Sequence, residues 1–147
     1  MITGVELDFV VKDCREALSL YQRVFDVQPI EATDLAEGQN EAVFSIYGSR
    51  FNMLDESPDF QLFAPLEGRT PSFWFNVAVP DIHDVYKRAM DAGCREIQPI
   101  SELPDFGVSN ATFADPFGYV WMLHQIHRNV SFEERMRQHA KAGSKNE

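Results

Sequence analysis

The sequence predicts an α+β fold made of two tandem βαβββ modules, and three observations carry that prediction. A strand–helix–strand pattern runs from residue 5 to residue 54 and begins again at residue 72. Landmarks recur at nearly constant spacing: Asp13 and Asp81 are 68 residues apart, "QPI" occurs at 28 and 98, and Gly48 and Gly118 are 70 apart. Such a period is too long for a solenoid unit. Neither module alone buries both its helix stripe and its sheet, so the two should share a sheet system within one domain.

In the first module "VELDFVV" (5–11) alternates with period two and reads as a strand. Asp13 then opens a helix, with Glu16 three residues on as its capping-box partner. Ala17, Leu18, Tyr21, Val24 and Phe25 form its apolar stripe. "VQPIEAT" is extended, and "EAVFSIY" with "RFNML" makes a hairpin around Gly48-Ser49, where glycine supplies a positive φ. In the second module "SFWFNVAV" is a strand and Asp81, with Asp84 three residues on, opens a helix. Ile82, Val85, Tyr86, Ala89 and Met90 are its stripe. "REIQPI" is extended, and "VSNATFA" and "YVWMLHQ" form a hairpin across the turn Asp115–Gly118. Ser131 and Glu134 open a last helix, "FEERMRQHAKAG", rich in charge, with Phe132 and Met136 its main apolar pair. It reads either as a surface helix with a frayed tail or as an arm docking on a partner subunit. The single domain 1–147 thus divides into module one (2–56), a connector (57–70), module two (71–126) and a C-terminal helix and tail (127–147).

Apolar residues make up 44% and charged residues 24%, the profile of a soluble globular chain. No apolar run is long enough to span a bilayer, and "MITGVELDFVV" lacks the basic region and cleavage site of a signal peptide, so a cytoplasmic protein is expected. Thirteen basic against twenty-three acidic residues give a net charge of -10, which disfavours nucleic-acid and membrane partners. Cys14 and Cys94 form no CxxC pair and are too few for a disulfide framework. Cys14 falls near a helix N-terminus, where thiolates are stabilised, but a small buried filler is the plainer reading.

Strand alternation sorts side chains onto two faces. Val5, Leu7 and Phe9 oppose Glu6, Asp8 and Val10; Phe73, Phe75 and Val77 oppose Trp74, Asn76 and Ala78. Phe51 and Met53 oppose Asn52 and Leu54, while Trp121 and Leu123 oppose Met122 and His124. The wholly apolar set belongs under the helices. The other gathers Glu6, Asp8, Asn52, Trp74, Asn76, Met122 and His124, a mixture suited either to a ligand cleft or to a plainly wet sheet face. His124 and His127, three apart on a strand, face opposite sides, and His83 and His139 fall on helices as ordinary surface residues.

The helices "EALSLYQRVF" and "VPDIHDVYKRAMDAG" and the closing "ADPFGYVWML" give residues 2–126 a resemblance to the vicinal oxygen chelate superfamily of glyoxalases, bleomycin-resistance proteins and dioxygenases. The tail "VSFEERMRQ" is most similar to the phosphonate-operon-protein-like branch. The resemblance implies a cup-shaped mixed sheet with helices on its outer face, the paired half-cups enclosing the site, and a homodimer. In metal-dependent members the ligands come from the first and closing strands of each module, and those positions hold Glu6, Asn52, Trp74 and Met122 here. Of these only Glu6 is a ligand type; an indole and a thioether do not replace imidazole and carboxylate. No metal and no cofactor is therefore expected.

Three functions follow. The first is a metal-free protein binding a small organic molecule, with Trp74 as a stacking surface and Glu6, Asp8, Asn52 and Asn76 as orienting groups; the carboxylates would suit a cationic or amine-bearing ligand. The second is a lyase, isomerase or dioxygenase with displaced metal ligands (Glu6, Asp8, His124) and Glu6 or His124 as general base. In the third no ligand binds, and a neighbouring subunit or the C-terminal segment fills the cleft.

Overall fold

The computed structural model describes residues 3–144. In chain order the elements are β1 (Asp8–Val11), α1 (Cys14–Val24), β2 (Val27–Ala32), β3 (Glu41–Ile46), β4 (Ser49–Asp55), β5 (Phe75–Ala78), α2 (Ile82–Asp91), β6 (Arg95–Leu103), β7 (Val108–Ala114), β8 (Val120–Ile126) and α3 (Phe132–Ser144). Single 3-10 turns occur at Pro58–Phe60 and Pro104–Phe106, both spelled Pro-Asp-Phe and both closed by a left-handed residue, Gln61 or Gly107. Ile2 and the last three residues of the tail lie outside the described residues.

The strands form two mixed four-stranded sheets of the same plan, β1-β4-β3-β2 and β5-β8-β7-β6. In each, the first strand lies parallel to the closing strand, and the remaining pairs are antiparallel. The tandem βαβββ plan therefore holds. What the modules share is a core rather than a sheet.

The helices begin where their caps place them. Asp13 accepts hydrogen bonds from the Arg15 and Glu16 amides (both 3.1 Å), and Asp81 does the same for His83 and Asp84. The Ser131 hydroxyl accepts from the Glu134 amide. These bonds satisfy first-turn donors that have no partner within a helix.

The apolar stripes of α1 and α2 meet in one aromatic core. Phe9 of β1 lies 5.1 Å from Phe75 of β5, Tyr21 of α1 5.2 Å from Trp121 of β8, and Phe25 is stacked on Phe113 of β7. Thus α1 touches the buried faces of both sheets. Cys14 and Cys94 are buried fillers; burial pushes both thiols up to about 12.

Two strands start later than alternation predicts. β1 meets β4 only from Asp8 onward, leaving Val5 94% and Leu7 43% exposed rather than under the helices. β5 begins at Phe75, so Phe73 and Trp74 precede the strand, and Trp74 is 58% exposed. Both are edge strands, and here the chain joins its partner late: β4 already begins at Ser49 and β8 at Val120, ahead of the first paired residues Asn52 and Trp121. The first hairpin turn falls one residue early, at Tyr47-Gly48, where both residues have positive φ.

Candidate functional site

The seven residues chosen from alternation separate into two groups. Glu6, Asp8 and Asn52 belong to the first module; Trp74, Asn76, Met122 and His124 belong to the second. Asp8 pairs across the sheet with Asn52, Asn76 with Met122, and Ala78 with His124. The two groups thus belong to two separate sheets, and the strands that carry them are not paired with each other.

On the first face, Glu6 is engaged by Arg50 at 3.2 Å. Burial, and then the charge of Glu6, push the Asp8 carboxyl above its ordinary range. Asn52 lies beside them, its Oδ1 buried without a hydrogen-bond partner.

The open face of the second module floors a cavity of about 540 Å³. Asn76 and His124 line it with apolar Leu103, Phe106 and Ile126, and Arg135 and His139 of α3 close one side. Of the residues chosen from sequence, only Asn76 and His124 border this space. His139 is exposed, as expected for a surface helix, and its ring lies 5.1 Å from that of Phe106 at the edge of this cavity. Asn110, directly opposite His124 across the sheet, carries the other buried carbonyl oxygen without a partner.

The α3 wall is held by a clamp. The Gly107 carbonyl accepts from the His127 and Arg128 amides, and the Arg128 guanidinium donates to the Pro104 and Asp105 carbonyls. Gly107 has φ 68°, and an added Cβ would stand 2.6 Å from the Arg128 carbonyl oxygen. Gly107→Ala should therefore displace Arg128, cost about 1–3 kcal/mol and loosen α3. Hydrogen exchange of residues 132–144 would show it as faster exchange confined largely to that helix.

Burial holds the His124 imidazole below its ordinary value of 6.5. At neutral pH it is therefore uncharged, with one nitrogen to donate and one to accept. Its burial penalises protonation in the folded state only, so its contribution to stability is full above 6.5 and is lost as pH falls below that value. Melting temperature followed from about pH 7 to about pH 5 should drop further in the wild type than in His124→Gln. Parallel curves would remove His124 from this role.

The chain belongs to the Glyoxalase/Bleomycin resistance protein/Dioxygenase superfamily, whose family model matches residues 5–123. It is 27% identical over 130 residues to the uncharacterized protein Mb0911c of Mycobacterium bovis, covering 85% of this chain and 84% of that protein. Among solved structures it is similar to a point mutant of the fosfomycin resistance protein FosX of Listeria monocytogenes in complex with manganese(II) and a dihydroxypropylphosphonic acid. The TM-score is 0.67 at 16% identity, over 95% of this chain and 99% of that one. TioX of Micromonospora sp. ML1 gives 0.64 at 16% identity, over 88% and 100%. At these identities the likeness to solved structures concerns the fold.

The residues present do not suit a divalent cation at the strand positions that hold one in metal-dependent relatives. Glu6 is bound to Arg50, Asn52 is a neutral amide, Trp74 is exposed and Met122 offers a thioether. Among the described residues, no three His, Cys, Asp or Glu side chains are gathered closely enough to hold a metal. Nor, among them, is any helix long and apolar enough to cross a membrane.

Proposed function

We propose that this chain is a small-molecule-binding member of its superfamily, working without a bound metal as a homodimer, with the ligand in the α3-walled cavity. The carrying observation is the cavity itself. Its apolar walls, two polar groups on the floor (Asn76 and His124) and single cation at the rim (Arg135) form the usual plan of an organic-ligand site. Within one chain Glu6 and Asp8, the basis for expecting a cationic ligand, do not border it, and where a second copy brings them in, Glu6 arrives already paired with Arg50. A neutral or weakly acidic organic molecule with its acidic group toward Arg135 fits this lining better.

A second copy supplies the missing side. β1 and β5 are each bonded on one edge only, and exposed Val5, Leu7, Phe73 and Trp74 lie in the segments that lead into them. Setting the β1 edge of one copy beside the β5 edge of another would bring Glu6, Asp8 and Asn52 of the first toward Trp74, Asn76, Met122 and His124 of the second. The cleft would then hold all seven. Kinship to the phosphonate-operon-protein-like branch is part of the same proposal, because the "VSFEERMRQ" segment forms the start of the cavity-walling helix.

The test is a thermal-shift screen of small acids, neutral molecules and amines against the wild type and Arg135→Gln. Aromatic or branched acids should raise the wild-type melting temperature, and Arg135→Gln should lose that effect. A preference for amines would return the reading to Glu6 and Asp8. Binding that appears only with added manganese(II) or zinc would favour the metal-dependent enzyme.

A further inference from the structure

We propose a second ligand site, for a phosphate-type dianion, in the cavity of about 480 Å³ beneath the Asp115–Gly118 turn. It lies at the opposite end of the β7–β8 hairpin from the α3-walled cavity. Three cations distant in sequence converge on it: Lys12 after β1, Arg69 of the connector and Arg95 at the start of β6. None of the three takes part in a salt bridge among the described residues, although acidic groups outnumber basic ones along the chain.

The fold fixes each of the three segments against the same turn. The Tyr119 hydroxyl donates to the Val10 carbonyl at 2.7 Å, which ties the end of β1, and so Lys12, to the start of β8. Arg95 pairs across the sheet with Ala114, the residue before the turn. The connector is seated by close approach: an added Cβ on Gly118 would stand 2.8 Å from Pro65, and the Arg69 amide closes a turn onto the Leu66 carbonyl at 3.1 Å. This places Arg69 and Thr70 in the lining of the cavity.

The carboxylates nearby leave the cations free. Both oxygens of Asp115 are taken up internally, by Tyr21, Trp121 and two backbone amides. Glu67 is the one exposed carboxylate in the lining. Two guanidinium forks and an ammonium facing one acid are matched by an oxyanion carrying two charges. The volume exceeds that of bare phosphate, so the ester of a small metabolite fills it better than the free ion. Because the three cations are solvent-exposed, binding must weaken as salt rises.

Isothermal titration of the full chain with inorganic phosphate and with glycerol phosphate tests this. Saturable binding of one ion per chain is expected, tighter for the monoester, and weakened about tenfold or more in Arg69→Gln/Arg95→Gln. Equal affinity for both probes would make free phosphate the occupant. No saturable heat from either, or an affinity unchanged in the double variant at an unchanged melting temperature, would overturn the proposal. These residues do not border the α3-walled cavity, so a failure here leaves the reading of that cavity untouched.

Discussion

Asp115→Ala should be among the most damaging single substitutions in the chain, lowering stability by about 3–5 kcal/mol. Its carboxylate accepts from the Tyr21 hydroxyl at 2.6 Å, the Trp121 indole at 2.8 Å and the Phe117 and Tyr119 amides at 2.8 and 3.0 Å. Tyr21 belongs to module one and Trp121 to module two, so one side chain fastens the modules together and also shapes the last hairpin turn. Both side-chain donors are buried, and alanine would leave them without acceptors. Burial raises the Asp115 carboxyl, against the pull of its four donors. Asparagine keeps an acceptor oxygen and should cost less than alanine. Urea denaturation of the three proteins checks the order; a loss below about 1 kcal/mol for Asp115→Ala would mean that water can replace the carboxylate.

Neighbouring substitutions at Trp74 and Phe75 should have opposite effects. Phe75 is buried, with its ring stacked on Trp121 at 4.3 Å and edge-on to Phe9 at 5.1 Å. Phe75→Ala should cost about 3–5 kcal/mol through the lost ring and the cavity left behind. Trp74 is largely exposed within the chain, and Trp74→Ala should change chain stability by no more than about 0.5 kcal/mol. Its effect should fall instead on self-association and on ligand affinity. Denaturation midpoints, paired with molar mass by light scattering, separate the two. The reverse pattern would mean that the faces of β5 are swapped.

Much of the fold was legible because it is local or periodic. Asp13, Asp81 and Ser131 mark helix starts by side-chain chemistry, and the spacing of Gly48 and Gly118 exposes the duplication. Alternation also assigned Phe9, Met53, Phe75, Trp121 and Leu123 to the buried faces, since a half-buried strand writes its two faces at every second residue. The same rule read too far at Val5, Leu7 and Phe73. Alternation persists where the chain has not yet joined its neighbour's ladder, and pairing is invisible in a single sequence.

The cavity was only half legible. Asn76 and His124 follow from the face of their strands. Phe106, Arg135 and His139 enter through the docking of α3 on a 3-10 turn, which no local pattern records. A usable signal was present in the second Pro-Asp-Phe followed by glycine, a tight left-handed turn just ahead of a strand. Asn110 could also have been found, because alternation places it with Val108 and Thr112 on the open face.

The central claim is that the cleft joins module one of one copy to module two of another. Mixing Leu7→Cys chains with Phe73→Cys chains and treating them with a short bismaleimide tests it most directly. The native thiols are buried and pushed up to about 12, so they should not react. The account predicts a cross-linked pair on a denaturing gel in the mixture, far above the level from either variant alone. Single chains only, in the mixture as in the controls, would contradict it and leave each module's open face to act alone.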